Sequence, residues 1–211
     1  MTKNISLVGQ EIKAMFPKYV ENIYLNTKDG PNSTIIIETN PSKVVKLINV
    51  LKKHTDFQYN ILRDISVSDN PEQMYRFSIS YHLLSVKFAS YIHVKTYAAE
   101  DTPVPSITKL HPSADWMERE AWDMFGIYFY NHPNLRRILT DYGFEGHPLR
   151  KDFPLSGFVE SRYDEESKRV VVEPVELAQE FRTFDFASPW EFDIETEDYL
   201  RLKHLTKKED I

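Results

Sequence analysis

Cysteine is absent from this 211-residue chain. That removes disulfides, thiolate metal sites, iron–sulfur ligation and cysteine nucleophiles in one step. Glycine numbers only six, so a glycine-rich phosphate cradle has little material. No Gly-x-Ser-x-Gly nucleophile elbow occurs either. Apolar runs such as Ile35-Ile36-Ile37 and Val170-Val171-Val172 are far shorter than the about 20 residues of a membrane span. The opening Met1-Thr2-Lys3-Asn4 has neither an apolar signal core nor a transit-peptide character, so the protein is expected to stay where it is made. There is no 20–50-residue repeat and no low-complexity tract.

What is present suits a soluble globular chain: 41% apolar and 27% charged residues. The net charge of −6 is unevenly placed, +3 over residues 1–110 and −9 over 111–211. An acidic surface repels phosphate backbones and anionic lipid alike. Two physically different parts are expected.

Ile5, Val8, Ile12 and Met15/Phe16 recur at helical spacing, so a helix is expected over 4–16, stopped before Pro17. Residues 19–26 and 34–38 read as a strand pair joined by the Lys28–Asn32 turn cluster. Asn40 and Pro41 open a second helix with a Val44, Leu47, Ile48, Leu51 stripe. Strands follow over 57–67, with Arg63 breaking the alternation, and over 75–81, with Tyr75, Phe77, Ile79 and Tyr81 on one face. A third spans 86–97, setting Val86, Phe88, Ile92 and Val94 against Lys87, Tyr91, His93 and Lys95. This order predicts an α+β sandwich over 1–110: an antiparallel-rich mixed sheet with helices packed on one side.

A short helix is expected over 113–125, with Asp115 as N-cap, Glu118 three residues on and Gly126 as its stop. Residues 140–195 then combine four prolines with ten aromatics and no period. Disordered tails are poor in aromatics. Such a stretch reads best as a long extended C-terminal arm that buries its side chains on something else.

Three chemistries compete within this frame. A metal site from His111, His132, His147 and Asp115 matches no compact ligand spacing; satisfied loop histidines are the better reading. Glu118, Glu120 and Asp123 suggest general acid/base carboxylates of a standalone enzyme. Yet Arg119 lies four residues from both Asp115 and Asp123, an ion-pair ladder, and Arg136-Arg137 and Arg150-Lys151 offer partners for the rest. The sheet aromatics Tyr75, Phe77 and Tyr81 invite RNA stacking, against the acidic balance and without an RNP-type strand motif. Residue chemistry alone therefore stops at a sandwich domain with an aromatic arm and no visible catalyst.

The linear string is more informative. Residues 116–139, from Trp-Met-Glu-Arg-Glu-Ala-Trp-Asp-Met-Phe-Gly to Asn-Leu-Arg-Arg-Ile-Leu, closely resemble the signature of the thirty-kilodalton subunit of respiratory complex I. The match runs on through 140–154, 160–164 and 181–191, which ends Phe-Arg-Thr-Phe-Asp-Phe-Ala-Ser-Pro-Trp-Glu, as in the mitochondrial and close bacterial branch. The resemblance implies a non-catalytic hydrophilic-arm subunit of the proton-pumping NADH:ubiquinone oxidoreductase. It implies no cofactor in this chain, with FMN and iron–sulfur clusters in partner subunits. The implied partners are the forty-nine-kilodalton, PSST and TYKY subunits, with no nucleic acid and no membrane span. The implied place is the matrix side of the mitochondrial inner membrane, or else the cytoplasmic face of a bacterial one. Signature positions carried over are Glu118, Arg119, Glu120, Asp123, Arg136, Arg137, His147, Arg150, Lys151 and Asp152. Their implied role is structural and interfacial. The expected organisation is a sandwich (1–110), signature helix and loop (111–139), partner-binding arm (140–195) and charged tail (196–211).

Overall fold

The computed structural model describes residues 5–26, 34–179 and 181–182, with side chains from residue 8 onward. The Lys28–Asn32 turn, most of the 181–191 match and the 196–211 tail lie outside them. The chain divides into two compact units, 1–158 and 159–211.

In the first unit, α1 (Ile5–Met15) leads to β1 (Asn22–Asn26) and β2 (Thr34–Glu38). The Asn40 Oδ1 then accepts the Ser42 N–H at 3.1 Å, and a single 3-10 turn over Pro41–Lys43 feeds α2 (Val44–Lys53). Next come β3 (Ile61–Asp69), β4 (Phe77–Ser85) and β5 (Ser90–Ala98), giving one sheet of order β1-β2-β5-β4-β3. Only β2 and β5 run parallel in it. Val8, Ile12, Leu47, Leu51, Ile35, Ile37, Phe77, Ile79, Tyr81, Ile92 and Val94 form one core on the helix-covered face. Serines, Tyr91, His93 and Lys95 take the other, partly wet face, as an antiparallel-rich sheet allows.

Several expectations shift for physical reasons. The first strand starts at Asn22 rather than Tyr19, because Thr39 Oγ1 donates to the Tyr19 carbonyl at 2.6 Å and holds a turn there. Phe57 and Tyr59 are buried but precede β3. Arg63 falls in a β-bulge between Leu62 and Asp64, which is why the alternation breaks at that point. Tyr75 is half exposed outside β4, while Phe77 and Tyr81 are sealed in the core and unable to stack a base. The register Ser85↔Ser90 turns residues 86–89 into a loop, so Val86 points to solvent.

Beyond the sheet, β6 (Val104–Pro105) runs parallel to β7 (Phe129–Tyr130), and α3 (Ala114–Phe125) lies between them in sequence. In the second unit β8 (Val159–Asp164) pairs with β9 (Arg169–Pro174) as an antiparallel hairpin. The Val170–Val172 run is thus laddered within its own chain, against Tyr163, Arg162 and Ser161. No helix among the described residues is long and apolar enough to cross a membrane.

Candidate functional site: a signature helix tied on three sides

Helix α3 begins two residues earlier than a capping Asp115 would give. Ser113 is the N-cap and supplies no side-chain hydrogen bond. Asp115 instead sits in the first turn, near His132: its carbonyl lies 3.2 Å from Nε2 and its carboxylate 3.3 Å. The Asn134 N–H reaches His132 Nδ1 at 3.1 Å, so the ring proton belongs on Nε2, facing Asp115.

Glu118 faces the core side of the helix and is fully buried. Its carboxylate takes the Ile107 N–H at 2.8 Å and the Ser106 hydroxyl at 2.6 Å, strapping the 106–108 loop to α3. Two donors do not replace the water that burial removes, and Asp115 adds like charge. Burial therefore pushes the Glu118 carboxyl up to about 7. Tyr81, buried with no hydrogen-bond partner for its hydroxyl among the described residues, is raised too, by burial and by the Glu118 charge.

Asp123 is the opposite case. It is equally buried, but its carboxylate gathers the N–H groups of Ile138, Leu139 and Thr140, the Thr140 hydroxyl at 2.7 Å and Arg137 Nη1 at 2.8 Å. Burial pulls its carboxyl up, but these donors outweigh it and hold the group well below the usual carboxylate range. One side chain thus folds the loop that follows the helix.

The helix end is closed by the next segment. An α-helix leaves its last four carbonyls without intrahelical donors. Here the Gly126 N–H takes Trp122 O at 2.8 Å and His147 Nδ1 takes Asp123 O at 2.9 Å. Leu149 N takes Met124 O at 3.1 Å, and Arg150 Nε takes Phe125 O at 2.6 Å. All four are satisfied. Gly126 is left-handed at φ 81°, and a Cβ there would stand 2.5 Å from Arg150 Nη2 and 2.7 Å from the His147 ring. Both the turn and the cap need glycine. Burial, with Arg150 and Arg137 nearby, lowers the His147 imidazole's basicity and keeps it the neutral donor this cap uses.

Arg119 departs from the expected ladder. It donates to the carbonyls of Arg136 at 3.1 Å and Arg137 at 3.2 Å and lies over Trp116, not between Asp115 and Asp123. The reason is reach: the buried Asp123 already has five donors, and the 136–137 carbonyls need some. Arg136 itself and Glu120 are exposed, and Lys151 contributes its backbone N–H, to Asp69 at 2.8 Å.

Sequence reasoning missed Arg76. Its guanidinium grips Asp69 through two bonds of 2.6 and 2.8 Å, Glu100 at 2.5 Å and Asp152 at 2.8 and 3.1 Å. Asp69 and Asp152 are held below the usual range by that hydrogen bonding, and Arg76 is raised. Arg76 thereby fastens the cap segment to the end of β3. On the strand pattern it read only as an outward polar residue.

As chemistry, the site is closed. The one carboxyl among the described residues that titrates near neutrality, Glu118, has no exposed surface for a substrate. His111 Nε2 is buried without a partner among the described residues, while His132 and His147 hold helix carbonyls. Among the described residues no three His, Cys, Asp or Glu side chains converge to hold a metal ion.

Comparison with known proteins fits this arrangement. The family model described as "Respiratory-chain NADH dehydrogenase, 30 Kd subunit" matches residues 37–159, which include α2, β3 to β5, α3 and its cap. NADH-ubiquinone oxidoreductase subunit 9 of Reclinomonas americana is 52% identical over 183 residues, 87% of each chain. The chain belongs to the thirty-kilodalton subunit family of respiratory-chain NADH dehydrogenase. The NADH dehydrogenase (ubiquinone) iron-sulfur protein 3 of Arabidopsis thaliana is 58% identical over 154 residues, 73% of this chain and 81% of that one. The fold also recurs in a solved chain of an archaeal membrane-bound sulfane sulfur reductase, with TM-score 0.59 at 21% identity over 79% of this chain and 98% of that chain. This is therefore a mitochondrial-type thirty-kilodalton subunit of complex I, part of an NADH:ubiquinone oxidoreductase. The α+β class and the family resemblance read from the sequence both hold.

Proposed function

We propose that this thirty-kilodalton subunit is a non-catalytic scaffold of the quinone-reducing module, and that it binds the forty-nine-kilodalton subunit through the segment after α3. The observation that carries the reading is apolar exposure. Tyr142 is 107% exposed, Leu155 96% and Phe158 66%, and Val170, Val172 and Phe181 stand more than 60% exposed. Runs of large exposed hydrophobics on a soluble chain mark an interaction surface. They follow in sequence on a helix whose buried Glu118, Arg119 and Asp123 are engaged inside the chain.

On this reading PSST and TYKY are the further neighbours, and FMN and the iron–sulfur clusters reside in partners. A relative carries "iron-sulfur protein" in its name, yet this chain has no cysteine to supply a thiolate. The subunit would lie peripherally on the matrix side of the mitochondrial inner membrane. Co-expression of the full chain with the forty-nine-kilodalton subunit, followed by size-exclusion chromatography, tests the pairing. Co-elution that is lost on changing Leu155 and Phe158 to serine is expected; independent elution of the wild-type chains would overturn it. A standalone enzyme would show turnover with neither partner nor added cofactor.

A further inference from the structure

The main sheet has two edges, and they are built differently. Strand β3 is nine residues long and carries a bulge, Arg63 and Asp64 along its exposed side. These are the devices by which proteins discourage strand addition. Strand β1, Asn22–Asn26, has no charge, no proline and no bulge. Among the described residues no strand pairs with its outer edge.

Beside that edge lies an apolar groove of about 330 Å³ between α1 and β1, lined by Gly9, Gln10, Lys13, Ile23, Leu25 and Ile35. Ile23 and Leu25 both face the helix side of the strand, yet Leu25 is 39% exposed, since α1 does not cover it. Gly9 sits mid-helix, where glycine costs about 0.8–1 kcal/mol relative to alanine. The chain's own packing does not require it. A Cβ there would meet Ile23 Cγ2 at 3.4 Å and Ile35 Cγ2 at 3.8 Å, ordinary contact distances. What the missing methyl preserves is the groove.

We propose that β1 is a docking edge: an extended segment of a neighbouring complex I subunit adds to it as a sixth strand. That segment lays a branched apolar side chain into the groove over Gly9 and sets a carboxylate against Lys13, the only charged side chain among the described residues that line the groove. The backbone ladder would give affinity, and the groove and Lys13 specificity, as in other strand additions. The proposal rests on the reading of this chain as an assembled subunit and concerns residues other than 140–182.

Hydrogen exchange on the full chain, alone and in the purified complex, tests it. Peptides spanning 22–26 are expected to exchange at least tenfold more slowly in the complex. Gly9→Leu fills the groove and should abolish that slowing. Lys13→Glu changes only an exposed side chain, so it leaves the fold intact and should reduce the slowing several-fold. A photo-crosslinker at Leu25 should join one segment of another subunit. Unchanged exchange at 22–26 in a complex that still co-purifies overturns the proposal and leaves the assembly reading standing. So does a crosslink to this same chain or to a second copy of it. Failure to co-purify overturns both.

Discussion

Helix α3 and the hairpin β8–β9 use their side chains in opposite ways. Around α3 the polar atoms turn inward: Glu118, Asp123, Arg119 and the helix-end carbonyls all find donors or acceptors within the chain. Along the hairpin the apolar atoms turn outward, with Tyr163, Val170 and Val172 all exposed. Its side-chain ties are exposed ones, the pair Arg162–Glu173 at 2.6 Å and the Ser167 hydroxyl to Asp164 at 2.6 Å. The first pattern makes a rigid element with no need of a partner, and the second an element whose burial is incomplete. A subunit that must fold before it assembles has reason to contain both.

If that contrast is right, the largest loss of stability follows from Asp123→Ala. It strips five donors of their acceptor and leaves Arg137 uncompensated, so a loss of about 3–5 kcal/mol in thermal or denaturant unfolding is expected. The wild-type contribution has an acid-side signature. Because the folded group titrates below its ordinary range, its stabilisation is complete above about pH 4 and fades as pH falls further. A variant within about 1 kcal/mol of wild type, the ordinary cost of a point change, would show that the knot is not what holds the loop.

Glu118 should behave with the reverse sign. Its carboxyl is raised from 4.5 to about 7, so the folded state keeps a proton that the unfolded chain loses between those values. Stability is therefore greatest below about pH 4.5 for this group and declines as pH rises through 7, by about 3 kcal/mol at most. Glutamine reproduces the protonated form: its oxygen can accept from Ile107 N and its amide can donate to Ser106. Glu118→Gln should flatten the pH dependence between 5 and 8 and match or exceed wild-type stability at pH 8. Retention of the wild-type slope would place the titration elsewhere.

A smaller effect is expected at the helix end. Gly126→Ala puts a methyl on a left-handed residue, at about 1–2 kcal/mol, and presses on Arg150 and His147. Loosened capping should appear as faster amide exchange at Leu149, whose N–H bonds Met124 O. Exchange there unchanged would mean that the side chains simply step aside.

How much of this was legible in the sequence depends on range. Local rules found α1, β2, the Asn40 cap, the Gly126 stop and the break at Arg63, because each is set by residues within a turn or two. They failed where a distant partner decides. Asp115 looks like a cap until His132 is seen beside it, and Arg119 looks laddered until the 136–137 carbonyls arrive. Arg76 looked like surface because its partner Asp152 lies 76 residues away. Spacing also cannot weigh burial against donors, which is why Glu118 and Asp123 read alike and titrate apart. The family resemblance marked the signature residues, but it was the helix-end carbonyls that explained why His147 and Arg150 belong together.

The smallest expected change in stability lies in the hairpin, and there the contrast is sharpest. Val170→Ser with Val172→Ser removes two side chains that are already 65% and 62% exposed. Little burial is lost in the free chain, so unfolding of the first unit should shift by less than about 0.5 kcal/mol. An isolated two-stranded hairpin is at best marginally stable in water, and locally weak segments are opened first by proteases. Limited proteolysis of the free subunit should therefore cut first between about residues 155 and 182 and spare the sheet and α3. Adding the forty-nine-kilodalton subunit should slow that cleavage in the wild type and much less in the double variant, since the valines would then have something to bury against. Equal resistance of hairpin and sheet in the free chain would mean that the second unit is self-sufficient, and its exposed valines would then need another explanation.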